Sequence, residues 1–398
     1  MGINMLLSVL ISLYTVAFII LRGGELAYII ETPVFWISLS VGYLTLVHSV
    51  GLSKTFFTIL CIICMIWIFD VYLYEFPQLY PVENFLGKVI VVTGANSGTG
   101  LATALEVAAK GGTVYLGCRS RSKCLAAESY INSRARLGKA IAVPEPLDLA
   151  HLDSVAKFTQ ALADVEIDIL LNNAGFAPEA GAKPTANGFE PAFGSMHMGH
   201  FYLTKLILGQ RKDPNHEVRV VNVASGTHYA CLWYDCLHDL KDNRALEESE
   251  GEFNYWRSKL ANVLHAWELK NKYNSVTSYS VNLGFVATNI TIMSQYGNYF
   301  LQRSPDVGVR PILYAMSVIA SNELNGYIVD GTFGISKPLS DFNIPLAIVF
   351  YGVSKFVATT EGLNHIPRSP FSEDEAKHER LRLWQTSEHL LKEALAKS

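Results

Sequence analysis

The residues with the clearest chemical potential in this chain are Tyr255 and Lys259, in the segment YWRSK. A spacing of four residues places both side chains on one face of a helix. A phenol with a pKa of about 10 exchanges protons poorly at neutral pH, but a neighbouring ammonium stabilises the phenolate and lowers that pKa. Ser225, at the end of the strand-like segment RVVNVAS, supplies a hydroxyl that can hold a substrate oxygen. We therefore predict a catalytic group of Ser225, Tyr255 and Lys259 that moves a proton at an oxygen atom.

A glycine-rich turn, TGANSGTG, occupies residues 93–100 between a β-branched run and an alanine-rich segment. A strand, a tight turn and a helix in this order direct the amide groups of the helix N-terminus at a diphosphate. A tyrosine–lysine pair with this spacing occurs by chance in many chains. The glycine-rich loop upstream is what supports a catalytic role for this pair. The residues predicted to surround the phosphates are Gly94, Ser97, Gly98, Thr99 and Gly100.

The strand after this loop ends in the segment GCRS, at residues 117–120. An enzyme that uses NAD usually has Asp or Glu near this position to bind the ribose hydroxyls. Arg119, with Arg121 and Lys123 close by, instead suits the additional phosphate of NADP(H). A solvated basic loop is the alternative. Asp148, after the next strand, is predicted to accept a hydrogen bond from the adenine amino group.

The elements that must position these residues alternate between strand and helix after residue 85. Short β-branched runs predict buried strands at residues 88–92, 113–117, 140–143, 167–171, 218–223, 276–281 and 327–329. Helices are predicted at residues 101–110, 200–208, 255–272 and 305–320. This alternation predicts an α/β fold with a doubly wound, Rossmann-like parallel sheet, which binds ligands at the carboxyl ends of its strands.

The first 80 residues have a different composition from the rest of the chain. Charged residues make up 17% of the 398 residues, and residues 1–80 contain only six of them: Arg22, Glu25, Glu31, Lys54, Asp70 and Glu75. Three apolar stretches, at residues 3–21, 34–51 and 56–73, have close to the ~20 residues that a membrane span needs. One to three transmembrane helices are therefore predicted before the sheet. A cleaved signal peptide fits less well, because a basic n-region is missing and further apolar stretches follow.

The chain is predicted to divide into a membrane region (1–80), a cofactor-binding domain (81–340) and a C-terminal extension (341–398). Residues 344–358 are apolar apart from Lys355, and they predict either a buried core helix or an element that lies on the membrane. Residues 373–397 are charged and helix-prone. The predicted packing stripe of this helix is Leu381, Leu383, Trp384, Leu390 and Leu391.

Charge and cysteine content exclude other classes of protein. A net charge of −4 provides no electrostatic footprint for nucleic acid, so we expect no nucleic-acid partner. The six cysteines show neither zinc spacing nor the density of a disulfide scaffold. We therefore predict no metal site and a reducing compartment for the large domain.

The combination of these motifs resembles the short-chain dehydrogenase/reductases over about residues 85–335. The matching features are TGANSGTG, Arg119, Asp148, NNAG at residues 172–175, Ser225 and YWRSK. The segments GCRS, GHFYLTKLIL and SKLANVL are similar to the retinol dehydrogenase-like branch. Residues 225–229 are similar to the polyprenol dehydrogenase/reductase of that branch.

The resemblance implies hydride transfer between the nicotinamide of NADP(H) and a carbonyl or alcohol carbon. It implies that Tyr255 exchanges the proton, that Lys259 tunes it and binds the ribose, and that Ser225 polarises the substrate oxygen. It also implies cofactor contacts on the adenosine side from Asn172, Ala174 and Gly175. At the nicotinamide carboxamide it implies contacts from the segment 284–288, including Gly284, Val286 and Thr288.

Two positions depart from the family pattern. Met196 stands where the family usually has an asparagine that supports a water relay behind the lysine, and Asn282-Leu283 replaces the usual His-Pro before Gly284.

The predicted function is that of a membrane-bound NADP(H)-dependent oxidoreductase that interconverts a lipophilic alcohol and its carbonyl: a polyprenol, a retinoid or a steroid-like molecule. The alternative is a cofactor-binding membrane scaffold with little or no turnover. We expect a multi-pass membrane protein of the endoplasmic reticulum, with a cytosolic catalytic domain and contacts with membrane lipid. The sequence is compatible with a homo-oligomer as well as with a monomer.

Overall fold

The computed structural model describes residues 84–177, 182–232, 236–237, 251–283, 286, 288, 304–317, 328–330, 334–335 and 373–397. The three apolar stretches in residues 1–80 and the segment 344–358 lie outside these ranges. The membrane spans and the membrane-facing element therefore stay predictions. Within the described ranges, no helix combines the length and the apolar character that crossing a membrane requires.

A single sheet forms the centre of the described domain, with the strand order β3-β2-β1-β4-β5-β6-β7-β8. The strands are β1 (Val89–Thr93), β2 (Thr113–Gly117), β3 (Lys139–Ala142), β4 (Ile169–Asn172), β5 (Val218–Val223), β6 (Val276–Asn282), β7 (Ile328–Asp330) and β8 (Gly334–Ile335). Neighbouring strands from β3 to β7 pair in parallel, and the short β8 pairs antiparallel with β7. The seven predicted strands are confirmed, with every end within two residues of its predicted position.

The helices connect successive strands. They are α1 (Gly98–Ala109), α2 (Arg121–Asn132), α3 (Leu152–Gln160), α4 (Pro191–Phe193), α5 (His200–Gly209), α6 (Gly251–Lys272), α7 (Pro305–Gly308), α8 (Arg310–Met316) and α9 (Glu373–Lys397). A π-helical turn, Gly194–Gly199, joins α4 to α5, and a 3₁₀ helix, Gly226–Leu232, follows β5.

The predicted helix at residues 305–320 is wrong as a single element. It is divided at Val309 into α7 and α8, and α8 ends at Met316 before an extended Ser317. Pro311 explains the division, because proline has no amide hydrogen to bond the carbonyl one turn earlier.

Two separate apolar cores flank the sheet. Val91, Leu170 and Val220 face one core, together with residues of α3, α5, α6 and α9. Ile90 and Leu171 face the other core, together with residues of α1, α2 and α8. Because successive side chains of a strand point to opposite faces, one continuous β-branched run supplies both cores. This arrangement confirms the doubly wound α/β fold.

Helix α9 packs against α5 and α6 through one face. Leu383, Trp384 and Leu391 are buried, and the Trp384 ring lies edge-on to Phe201 with 5.0 Å between the centroids. Leu390 is half-buried at the border of this face. Ser387 Oγ lies 2.9 Å from Nε2 of the buried His197.

Leu381 does not belong to the packing stripe, so this part of the prediction is wrong. Its side chain is 40% exposed. It lies three residues before Trp384, on the edge of the helix that faces water rather than α6.

Four of the cysteines form disulfides, which bears on the predicted reducing compartment of the large domain. Cys118 is bonded to Cys124 and Cys231 to Cys236. Each pair lies within a short turn that brings the two Cα atoms to 5.6 and 5.4 Å, inside the usual range for a disulfide. The cysteine-based argument for a reducing compartment therefore does not hold.

Replacing Trp384 with alanine should destabilise the protein by about 3 kcal/mol or more, because the change leaves a cavity among Phe201, α6 and α9. Leu381→Ala is the matched control on the same helix, and it should change stability by less than about 0.5 kcal/mol. Denaturant unfolding of the full chain in mild detergent measures both values. Equal losses in the two variants would contradict the packing of α9 described above.

Candidate active site

The site lies where the direction of winding reverses, between β1 and β4. The chain runs outward from β1 through β2 to β3 and then returns to β4 on the other side of β1. In such sheets the loops that follow the two central strands separate and leave a crevice at the carboxyl edge. Here these loops are the glycine loop, residues 93–100, and the NNAG segment, residues 172–175.

Thr93, the last residue of β1, connects the two loops. Its Oγ1 accepts hydrogen bonds from the amides of Asn173 and Ala174, at 2.9 Å each. His200 Nε2 lies 2.9 Å from the same oxygen, and His200 Nδ1 lies 2.9 Å from the Met196 carbonyl oxygen. A carbonyl oxygen only accepts, so Nδ1 carries the proton and Nε2 accepts from Thr93. Burial lowers the pKa of His200 to about 4, so the ring is neutral at pH 7.

The glycine loop has the backbone that a diphosphate site requires. Gly94 and Gly98 have φ values of +67° and +53°, which disfavour residues with a Cβ. A Cβ at Gly100 would overlap the Gly94 carbonyl oxygen and lie 2.7 Å from Asn173 Nδ2. Ser97 is the extended N-cap of α1, its hydroxyl makes no capping bond, and the first turn of α1 contains no acidic residue. The free amides of this helix end therefore suit the phosphates of a dinucleotide.

The side chains of the two asparagines of NNAG have different partners. Asn172 is buried, and its Nδ2 donates to Thr204 Oγ1 at 3.0 Å and to Asn222 Oδ1 at 2.8 Å, inside the core. The predicted contact of Asn172 with the adenosine side stays a prediction for its backbone. Asn173 faces the glycine loop instead, where it accepts from Thr99 Oγ1 at 2.8 Å and donates to the Thr93 carbonyl at 2.9 Å.

The basic loop after β2 presents two of its three cations to water. Arg119 and Lys123 are exposed. Arg121 is occupied, because its Nη1 donates to the carbonyl oxygens of Ala142 and Val143 at 3.0 and 2.8 Å. Arg119 and Lys123 are therefore the cations that can meet a 2′-phosphate.

Asp148 lies beside this loop with part of its hydrogen-bonding capacity used. Its Oδ1 accepts from the Ala150 amide at 3.0 Å, and its Oδ2 lies 3.1 Å from His151 Nδ1. A carboxylate has about four acceptor positions, so it can still accept a bond from an adenine amino group.

The three predicted catalytic residues come together at the carboxyl edge. Ser225 follows β5, and Tyr255 and Lys259 lie one turn apart on α6. The Ser225 side chain lies close enough to the Tyr255 hydroxyl to favour its ionised form. Lys259 Nζ lies 5.4 Å from the centroid of the Tyr255 ring and donates to the Val223 carbonyl at 3.1 Å. An ammonium has three donors, so two stay available for ribose hydroxyls.

The electrostatics of this group differ from the expectation that Lys259 lowers the pKa of Tyr255. Burial raises the pKa of Tyr255 above its usual value, and the nearby Ser225 side chain offsets part of the rise. Burial also lowers the pKa of Lys259 to about 8, which leaves it largely protonated at neutral pH. The structure thus holds Tyr255 as the phenol, the form that donates a proton.

Met196, for which the relay position is predicted, lies near Lys259. It is buried in the π-helical turn, a type of turn that is frequent at functional sites. A Cβ added to Gly175 would lie 3.4 Å from Met196 Sδ and 3.5 Å from Lys259 Nζ, so both groups border Gly175. The thioether therefore occupies the space behind the lysine without an amide's hydrogen bonds.

The segment after β6 reaches the glycine loop through Thr288. A Cβ at Gly98 would lie 3.3 Å from Thr288 Cγ2, which places Thr288 beside the phosphates' predicted position. The Val286 side chain is buried against Gly308, so only its backbone is left for a cofactor. Gly284 lies outside the described residues, and its contact with the carboxamide stays a prediction.

Sequence reasoning missed Thr93 and Asn173 as positioning residues. Both stand inside the motifs already singled out, at the first position of TGANSGTG and the second of NNAG. Both positioning residues could therefore have been identified from the two motifs, together with the rule that adjacent residues of a strand point to opposite faces of the sheet.

A Gly100→Ala variant should lose cofactor binding, because the added methyl group overlaps the Gly94 carbonyl and pushes Asn173 away from Thr93. We expect the Kd for NADPH, measured by its fluorescence, to rise about tenfold or more. Gly209→Ala is the matched control, since a Cβ at the end of α5 meets nothing within 4 Å. An unchanged Kd in Gly100→Ala would show that this loop does not hold the cofactor.

Comparison with known proteins gives consistent matches. Residues 88–230 match the family model described as short chain dehydrogenase. Bovine (Bos taurus) retinol dehydrogenase 12 is 38% identical over 211 residues, which cover 52% of this chain and 64% of the relative. The match thus spans less than two thirds of that relative's length.

Two further similarities extend the coverage. Human (Homo sapiens) retinol dehydrogenase 11 is 34% identical over 238 residues, which cover 57% of this chain and 72% of the relative. The crystal structure of an uncharacterized protein from Mycobacterium paratuberculosis is similar with a TM-score of 0.55 and 28% identity, covering 79% of this chain and 97% of that one. The glycine loop, the Ser–Tyr–Lys group and these matches lead to one conclusion: the chain belongs to the short-chain dehydrogenase/reductase family.

Proposed function

We propose that this protein is a membrane-bound, NADP(H)-dependent oxidoreductase that interconverts a lipophilic alcohol and its carbonyl. The observation that carries the proposal is the convergence of three side chains. Lys259 Nζ lies 5.4 Å from the centroid of the Tyr255 ring and borders Gly175, and Ser225 lies close enough to the Tyr255 hydroxyl to favour its ionised form. A proton donor, a second hydroxyl and a fixed positive charge converge there at the edge of the sheet where such folds bind ligands.

In carbonyl reduction, Ser225 donates a hydrogen bond to the substrate oxygen and Tyr255 gives that oxygen its proton. Lys259 stabilises the phenolate that remains, because its ammonium lies close to the ring. In alcohol oxidation the same groups act in reverse, and Tyr255 receives the proton. The nicotinamide, when bound, supplies or accepts the hydride.

The residues that would hold the cofactor fit a phosphorylated dinucleotide. The amides at the start of α1 suit the diphosphate, and two ammonium protons of Lys259 suit the ribose. Arg119 and Lys123 support a preference for NADP(H), because both are exposed at the end of β2 and carry no ion pair with a described residue.

The substrate class and the location rest on the sequence and on the relatives. The names of the relatives state retinol, a lipophilic alcohol. The three apolar stretches of residues 1–80 favour attachment to a membrane such as that of the endoplasmic reticulum. A polyprenol or steroid-like alcohol would meet the same requirement.

A scaffold that binds the cofactor without turnover is the second candidate, and one observation favours it. Met196 lies beside Gly175, where an amide would complete a relay to Lys259. Binding of NADPH without reduction of any lipid carbonyl would favour this candidate.

The decisive test is an assay of the full chain in detergent, with NADPH or NADP⁺, against retinoid, polyprenoid and steroid carbonyls and alcohols. We expect Tyr255→Phe to lower kcat by about 100-fold or more, the range for loss of a general acid, while the Kd for NADPH stays unchanged. Tyr202→Phe, on α5, should retain wild-type turnover. A Tyr255→Phe protein that still turns over would refute the catalytic assignment.

Joint replacement of Arg119 and Lys123 with alanine should raise the Kd for NADPH about tenfold or more and leave that for NADH unchanged, because only the former carries the additional phosphate. Lys377→Ala, on α9, should alter neither value. Equal losses for both cofactors would mean that these cations do not select NADP(H).

Exchange of Met196 for asparagine should leave turnover unchanged or raise it, because an amide beside Gly175 can hydrogen-bond a relay water or Lys259 itself. Met198→Asn is the control in the same π-helical turn, and it should lower stability because Met198 packs in the apolar core. A drop of about tenfold or more in the Met196→Asn rate would show that this position is not the relay position.

A further inference from the structure

A group of cations and leucines lies at the amino ends of β1, β2 and β3, at the edge of the sheet opposite the catalytic group. We call it the amino-edge patch, and its members are Leu86, Lys110, Arg134, Arg136, Leu137 and Lys139.

Backbone contacts hold the three loops of the patch together. The Phe85 amide donates to the Lys110 carbonyl at 2.8 Å, which joins the loop before β1 to the turn after α1. The Gly138 amide donates to the Ala108 carbonyl at 2.9 Å, which joins the turn after α2 to the same place. The patch is therefore one surface, fixed by main-chain hydrogen bonds.

The two leucines of the patch project into water. Leu86 is 62% exposed and Leu137 is 70% exposed, the highest values among the large apolar side chains that the structure describes. Exposed apolar groups with a polar rim are typical of surfaces that bind a partner or a membrane.

The cations of the patch form no ion pair with a carboxylate in the part of the chain that the structure describes. Among residues 84–88, 106–112 and 130–139, the one acidic side chain is Glu106, on α1. Lys110, Arg136 and Lys139 form no ion pair with any described residue, and Arg134 lies over the Tyr130 ring at 3.8 Å. Within the described residues, the positive charge of this surface therefore exceeds its negative charge.

Charges elsewhere on the same edge are compensated. Before β4 and β5, Asp164 pairs with Lys212 at 3.6 Å, and Asp168 pairs with Lys88 at 2.9 Å. The excess of positive charge is therefore confined to the β1–β3 part of the edge and does not reflect the composition of the amino ends in general.

We propose that the amino-edge patch binds a bilayer surface that carries anionic headgroups, with its cations on the lipid phosphates and its leucines in the interface. Charge complementarity supports this occupant, since Lys and Arg near a membrane are attracted to anionic lipid. The position in the chain supports it too, because the loop with Leu86 directly follows residues 1–83, whose sequence contains the three apolar stretches. The inference rests on the membrane attachment in the proposed function.

The test uses the full chain in nanodiscs of phosphatidylcholine, with or without phosphatidylserine. A water-soluble amine reagent modifies exposed lysines, and mass spectrometry gives the rate for each one. We expect modification of the exposed Lys139 and of the partly exposed Lys110 to slow about threefold or more when phosphatidylserine is present. Lys157 and Lys397, exposed elsewhere, should react at the same rate in both nanodiscs.

Charge reversal supplies the matched comparison. The double variant Arg134→Glu/Arg136→Glu should abolish the effect of phosphatidylserine on Lys139, whereas Lys377→Glu/Lys392→Glu on α9 should retain it. If the protein co-migrates with both nanodiscs but its lysines react at equal rates in the two, the lipid-binding role of the patch is wrong and membrane attachment still holds. If the protein co-migrates with neither nanodisc, both the patch and membrane attachment are wrong. If the α9 variant also loses the effect of phosphatidylserine, the effect depends on the net charge of the protein and not on the patch.

Discussion

The hydroxyl of Thr93 is the contact on which the arrangement of the site depends. Parallel pairing of β1 with β4 brings two loops to one edge of the sheet, and Thr93 Oγ1 fixes the distance between them through the amides of Asn173 and Ala174. Its proton goes to the neutral His200, which in turn binds the carbonyl of Met196. The glycine loop, the NNAG segment and the π-helical turn behind Lys259 are thereby positioned relative to one atom.

The sequence was informative wherever geometry is local. A parallel strand is buried on both faces, so it appears as an unbroken β-branched run, and Val89–Thr93 is such a run. Tyr255 and Lys259 follow the helical period, so their common face could be predicted without any knowledge of neighbours. The glycine loop could be placed at the carboxyl edge because strand, turn and helix occur in that order.

The remaining features depend on contacts between distant parts of the chain. Asn172 and Asn173 are adjacent residues of the same type. Only the placement of β4 beside β5 decides which side chain contacts Thr204 and which one contacts the glycine loop. Arg121 carries the same charge as Arg119, but the turn into α2 directs it at carbonyls of β3 and the residue after it. The raised pKa of Tyr255 has the same origin, since burial is a property of the assembled fold and not of the YWRSK segment.

Because α9 is synthesised after the rest of the described domain, its contact with α5 and α6 forms late during synthesis. His197 meets Ser387 across 190 residues, and Lys205 meets Glu388 across 183. Domains begin to fold during synthesis, from the N-terminus onward. The glycine loop and the strands can therefore assemble while α9 is still inside the ribosome. The apolar side chains of α5 and α6 that pack against α9, such as Phe201, lack this contact until α9 emerges. A nascent chain that has already completed its sheet would thus still present a surface for chaperones to bind.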